Sequence, residues 1–131
     1  MDVLEQHHLG LACRSIENDW AIFRQAGARA GGPTFEDPDQ GVRGRFIELG
    51  TTRFELLENL DGSRVLVPWL RGGSRVYHVG YLCDDLDLQL RMHVEAGAKI
   101  VRDPATARAF DGRRIAFVML PNLLLIELIE R

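Results

Sequence analysis

Two stretches, HLGLAC at residues 8–13 and HVGYLC at 78–83, place a histidine, a glycine and a cysteine at identical spacing 70 positions apart. AGAR (26–29) and AGAK (96–99) share that offset, and ELLE (55–58) and ELIE (127–130) stand 72 apart. Three matches in one order with nearly one offset define two copies of a single supersecondary unit. No other feature limits the fold as strongly, because both copies must form the same local structure inside different surroundings.

Each copy has the same coarse plan. Residues 7–13 alternate, with His8, Gly10 and Ala12 on one face and Leu9, Leu11 and Cys13 on the other, the mark of a strand with one packed face. Ser15 caps a helix whose Ile16, Trp20 and Phe23 recur at helical spacing, and Gly27 ends it. In the second copy Asp84 or Asp85 caps, Leu86, Leu90 and Val94 form the buried stripe, and Gly97 stops the helix. Trp20 and Met92 are read as core residues. Strands follow at 28–35 (weakly), 42–50 and 52–59 in the first copy, with LGTT (49–52) as a hairpin turn. In the second copy they fall at 98–102, 114–120 and 123–130, with Pro121-Asn122 as the turn.

The expected fold is therefore α+β: two tandem β-α-β-β-β modules forming one curved mixed sheet around a cleft, with helices outside. A chain of 131 residues suits a single domain over 1–131, with module 1 at about 5–60, a linker at 61–74 and module 2 at about 75–131. The linker holds Gly62, Pro68, Gly72 and Gly73, with one helical turn around Val65 to Leu70 and Trp69 as a lid over the core.

Composition excludes several classes. A net charge of −3 argues against nucleic-acid binding, which rests on phosphate neutralisation. No apolar run is long enough to span a bilayer, and residues 1–6 lack the features of a signal peptide. Two cysteines cannot build a secreted disulfide framework, so a cytoplasmic protein with free thiols is expected.

The chemistry gathers on one face. Alternation puts Glu55, Leu57 and Asn59 together on the fourth strand, and Leu125, Glu127 and Ile129 together on the last. Both glutamates sit in apolar runs, RFELLEN and LLLIELIE, where a carboxylate without a partner would be costly. If the halves pack about a pseudo-twofold, His8, Glu55, His78 and Glu127 share one surface. Two imidazoles and two carboxylates suit a divalent first-row metal (Zn, Co, Ni, Mn or Fe), with positions left for water or substrate. Gly10 and Gly80 leave room beside them. The repeat selects His8 over His7, leaves His93 as an exposed helix residue, and turns Cys13 and Cys83 away as apolar packers.

HHLGLACRSIEND, QGVRGRFIELGTTRFELLENL, YHVGYLCDDLD and LLLIELIE together resemble the vicinal oxygen chelate superfamily, which includes glyoxalase I, bleomycin-resistance proteins and extradiol dioxygenases, and most closely its methylmalonyl-CoA epimerase-like branch. The resemblance covers nearly the whole chain. It implies His8, Glu55, His78 and Glu127 as ligands of one divalent ion, with Glu127 as the catalytic base and Glu55 its counterpart. The implied reaction is proton movement next to a carbonyl of a small-molecule substrate, an acyl-CoA thioester being first candidate. A glyoxalase I-like lyase, and a non-catalytic drug-binding or antibiotic-resistance protein using the same cleft, are the alternatives. A homodimer is expected. Where that branch carries a glycine-rich loop, this chain has PATARAFDGRR (104–114), whose Arg113 and Arg114 are candidates for binding an anionic substrate group.

Overall fold

The computed structural model describes residues 2–131. The chain divides into two compact units, one formed by His8–Tyr77 and the other by His78–Arg131 with the segment up to His7. Each division falls inside a strand, immediately before a repeated histidine.

The first unit runs β1 (Glu5–Cys13, entering at His8), α1 (Ile16–Gln25), β2 (Arg29–Ala30), β3 (Phe35–Asp37), β4 (Val42–Leu49), β5 (Thr52–Asn59) and α2 (Val67–Arg71). Its strand order is β2-β4-β5-β1, with β3 added on β4. β4 and β5 form a hairpin closed at Leu49 and Thr52, where Gly50 takes φ 60, a conformation that glycine adopts without penalty. β1 joins β5 in parallel, pairing Gly10 with Glu55. The weak strand expected over 28–35 is two pieces, because Gly31, Gly32 and Pro33 interrupt it. The expected linker folds onto this unit: its helical turn is α2, and Trp69 packs over Leu57 and Leu66 with its ring edge-on to Tyr77 at 4.6 Å.

The second unit runs β6 (Val76–Cys83, entering at His78), α3 (Leu86–Glu95), β7 (Lys99–Thr106), a 3-10 turn (Arg108–Phe110), β8 (Arg114–Met119) and β9 (Leu125–Glu130). Its order is β6-β9-β8-β7. β6 joins β9 in parallel and pairs Gly80 with Glu127, so the repeat extends to strand register. β7 outruns its expected end and passes through Pro104. An edge strand tolerates proline, and the register with β8 shifts on that stretch. Among the described residues this makes nine strands and three α-helices, a mixed α+β fold. No helix among them is long and apolar enough to cross a membrane.

In both units one sheet face packs on α1 or α3 and the other carries the histidine and glutamate, joined in the first unit by a second buried cluster of Ala12, Val42, Leu57 and Leu66. Cys13, Ile16, Ile47 and Leu56 form the helix-side core of the first unit. Cys83, Leu86, Leu90, Ala116, Val118 and Leu128 form that of the second. Ser15 and Asp85 cap the helices, accepting from the Asn18 and Leu88 N–H groups. Val94 and Met92, expected in the core, are 47% and 48% exposed. The α3 stripe instead takes Gln89, buried because its side-chain amide donates to the Asp2 carboxylate at 3.2 Å, a contact across 87 positions that helical periodicity cannot reveal.

This difference is measurable by denaturant unfolding. Leu86→Ala removes a fully buried side chain and is expected to cost about 2–5 kcal/mol. Val94→Ala is expected to change stability by less than about 0.5 kcal/mol.

Candidate functional site

In the first unit the parallel register sets Gly10 beside Glu55, and His8 lies two residues earlier on the same face. The missing side chain at residue 10 leaves space beside the carboxylate. The His8 imidazole reaches across it, with Nε2 3.2 Å from Glu55 Oε1. Both side chains are buried. Across the hairpin Phe46 stands opposite Glu55, and its ring meets the His8 ring edge-to-face, with centroids 5.6 Å apart at 78°.

The second unit repeats this arrangement residue for residue. Gly80 lies beside Glu127, His78 is two residues earlier, and His78 Nε2 is 3.3 Å from Glu127 Oε1. Both are again buried. Phe117 stands opposite Glu127 and meets the His78 ring edge-to-face at 5.2 Å and 84°.

A carboxylate removed from water is tolerable when it is hydrogen-bonded, paired with a cation or bound to a metal. Each imidazole Nε2 lies within reach of a hydrogen bond, and without its proton the same nitrogen offers a lone pair beside a carboxylate oxygen. Imidazole nitrogen with carboxylate oxygen is a donor set for divalent first-row metals. The aromatic wall behind each histidine limits ring rotation and so presents Nε2 in one direction. The residues fit a metal.

The second glutamate of each repeated motif has a different task. Three positions along a strand reverse the face, so Glu58 and Glu130 point to the helix side. Glu58 accepts from the Ile16 N–H at 2.9 Å and from Arg43 at 2.8 Å. Glu130 accepts from the Leu86 N–H at 3.1 Å and from Arg114 at 3.0 Å. Each thus neutralises the first turn of a helix. Arg114 also donates to Asp87 at 3.3 Å. This removes Arg114 from the substrate candidates, since its guanidinium is engaged on the helix side. Arg113 is exposed in the turn before β8, where its N–H donates to the Phe110 carbonyl.

Neither Glu58 and Glu130 nor Phe46 and Phe117 was selected from the sequence, although each pair recurs near the repeat offset and could have been found there. Of the remaining candidates, His7 is half-buried against Phe110 at 5.5 Å. His93, expected exposed, is half-buried with Nδ1 2.7 Å from the Gln89 carbonyl oxygen of its own helix. Cys13 and Cys83 are buried on the helix side. Burial pushes the Cys13 thiol up to about 12, assisted by Asp19, and the Cys83 thiol up to about 11. Neither is a nucleophile at neutral pH.

Residues 7–117 match the Glyoxalase/Bleomycin resistance protein/Dioxygenase superfamily, and the chain belongs to it. An ethylmalonyl-CoA/methylmalonyl-CoA epimerase of Cereibacter sphaeroides is 28% identical over 117 residues, covering 86% of this chain and 85% of that one. A variant of Streptomyces coelicolor methylmalonyl-CoA epimerase, solved with 2-nitronate-propionyl-CoA, has a TM-score of 0.80 at 24% identity over 98% of both chains. The methylmalonyl-CoA epimerase of Mycobacterium tuberculosis has a TM-score of 0.78 at 21% identity, over 95% of this chain and 86% of that one. The fold is that of the vicinal oxygen chelate proteins, as the motifs implied.

The Glu130 carboxylate makes a pH signature. Hydrogen bonds from Arg114, then from the Leu86 N–H, hold the Glu130 carboxyl below the usual carboxylate range. Its contribution to stability is full above that range and is lost as pH falls through the lowered pKa. Glu130→Gln is expected to lower Tm near pH 7, with the gap to wild type closing toward about pH 3. A gap independent of pH in thermal melts would contradict this assignment.

Proposed function

We propose that the protein is a metal-dependent enzyme that moves a proton on the carbon next to a substrate carbonyl, in the manner of an epimerase. In this reading His8, Glu55, His78 and Glu127 together hold one divalent ion, two neutral imidazoles and two carboxylates balancing its charge. The observation that carries it is the twice-built buried pair, with Nε2 to Oε1 at 3.2 and 3.3 Å. A single such pair is a common structural contact. Its recurrence with the same glycine, the same register and the same aromatic backing is not required by the fold, because either His–Glu pair could have been replaced by two apolar residues at lower cost of burial. The relationship to an ethylmalonyl-CoA/methylmalonyl-CoA epimerase supports the same reaction class.

A proton next to a carbonyl is weakly acidic, and its removal at neutral pH demands stabilisation of the oxyanion that develops. A bound divalent ion would supply that as a Lewis acid. Glu127 is the base in this reading. Its carboxylate is desolvated, aligned by His78 and backed by Phe117, which excludes water from that side. Inverting a centre also requires a second proton delivered to the other face of the carbon, for which Glu55, in the equivalent place in the other unit and protonated in its turn, or a water molecule would serve. The substrate class is a carbonyl compound with an exchangeable α-proton, with 2-substituted acyl-CoA thioesters first.

The test is deuterium incorporation from D₂O by metal-loaded protein into 2-substituted acyl thioesters, 2-hydroxy ketones and glutathione hemithioacetals. Glu127→Gln is expected to slow exchange by about 10²–10⁴-fold. Exchange that persists in that variant would remove Glu127 as base. No exchange with any of the three classes would favour a protein that binds without turnover.

A further inference from the structure

The two His–Glu pairs match, but the sheet beside them does not, and the difference bears on substrate choice. In the first unit the ligand face of β4 presents Val42, Gly44 and Phe46, alternating as a strand must. Gly44 is opposite Leu57 on one side and Phe35 of β3 on the other. The Phe35 ring lies directly over Gly44: a Cβ added there would come within 2.3 Å of its Cζ. Phe35 and Phe46 are 5.9 Å apart, and Phe46 in turn meets His8. Three aromatic rings therefore run from the half-buried Phe35 to the imidazole. In the second unit the place of Gly44 is taken by Ile115, opposite Ile129 on β9 and Ala105 on β7.

Arg43 and Arg45 project from the opposite face of β4, and the charges that share the wall's face, Asp37, Glu48 and Arg53, are engaged with partners of their own. Arg43 is held by Glu36 and Glu58, and the Arg45 guanidinium stacks over Trp20 at 4.7 Å. The Asp37 carboxylate accepts from the backbone N–H and side-chain amide of Gln40. Arg53, two residues before Glu55, faces Glu48 at 3.9 Å. A substrate carboxylate laid against Phe35 and Phe46 would lose its hydration to a surface whose nearest cation, Arg53, already faces Glu48.

We propose that Phe35 and Phe46 are specificity-determining residues, and that the group flanking the reacting carbon on the His8 side is uncharged and apolar, aryl or branched alkyl, rather than a second carboxylate. This rests on the metal-centred reading above and narrows its substrate class. Gly44 is then required because any side chain there would displace the Phe35 ring.

Three hydroxamates sharing one metal-binding head group test it: acetohydroxamate, benzohydroxamate and succinomonohydroxamate, titrated calorimetrically into zinc-loaded protein. Wild type is expected to bind benzohydroxamate about tenfold or more tighter than the carboxylate-bearing probe. Phe35→Ala and Gly44→Ala, which remove or displace the ring, are expected to shrink that ratio to about threefold or less, while acetohydroxamate still binds. The exposed, helix-side Ile22→Ala should behave as wild type. Circular dichroism confirms folding, and Phe35→Leu replaces Phe35→Ala if the latter unfolds. Equal or tighter binding of the carboxylate-bearing probe, or a preference that survives both ring variants, would overturn the proposal while acetohydroxamate binding leaves the metal centre standing. Failure of all three probes to bind would overturn both readings.

Discussion

A carboxylate held within an apolar sheet is the constraint on which the rest of this molecule turns. It must be met by a partner in place, and both halves meet it in the same way. Parallel pairing sets a glycine beside the glutamate, which clears the adjacent position on that face. The histidine two residues earlier then leans into the cleared space, with Nε2 3.2 Å from Glu55 Oε1 in one half and 3.3 Å from Glu127 Oε1 in the other. A side chain at residue 10 or 80 would project from the same face, next to the carboxylate on the paired strand. The glycine is therefore as much a part of the arrangement as the two donors.

One four-residue motif serves both faces of each sheet. The first glutamate of ELLE and ELIE turns to the histidine. The second turns to the helix, where it takes the first free N–H of α1 or α3 and an arginine from the neighbouring strand. The strand that carries the donor carboxylate is thereby tied to its helix terminus three residues away. Displacing β5 or β9 along its axis would break a helix-terminal hydrogen bond and an ion pair together. That coupling explains how two divergent copies, with few identical residues left, keep the same register at Glu55 and Glu127.

Much of this was legible before any coordinates. Period-2 and helical spacing located β1, α1, β4, β5, β6, α3, β8 and β9, because each has one apolar face. The repeat singled out His8 over His7, and the structure pairs His8 with Glu55. What escaped notice depends on contacts distant in sequence. Gln89 is buried only because Asp2 receives its amide, and Val94 is exposed only because the α3 stripe is rotated toward Leu86, Gln89 and Leu90. Arg114 looked like an anion-binding residue until its position on the helix face, beside Glu130 and Asp87, was known. The aromatic backing by Phe46 and Phe117 follows from cross-strand register, which hydrophobic patterning leaves open.

The account's central claim is that the two matched pairs serve one ion. Elemental analysis of purified, metal-saturated protein tests it most directly, comparing wild type with His8→Ala/Glu55→Gln and with His78→Ala/Glu127→Gln. The account predicts one divalent ion per chain in wild type and loss of that ion in both double variants. Two ions per chain, or full retention in either variant, would contradict it.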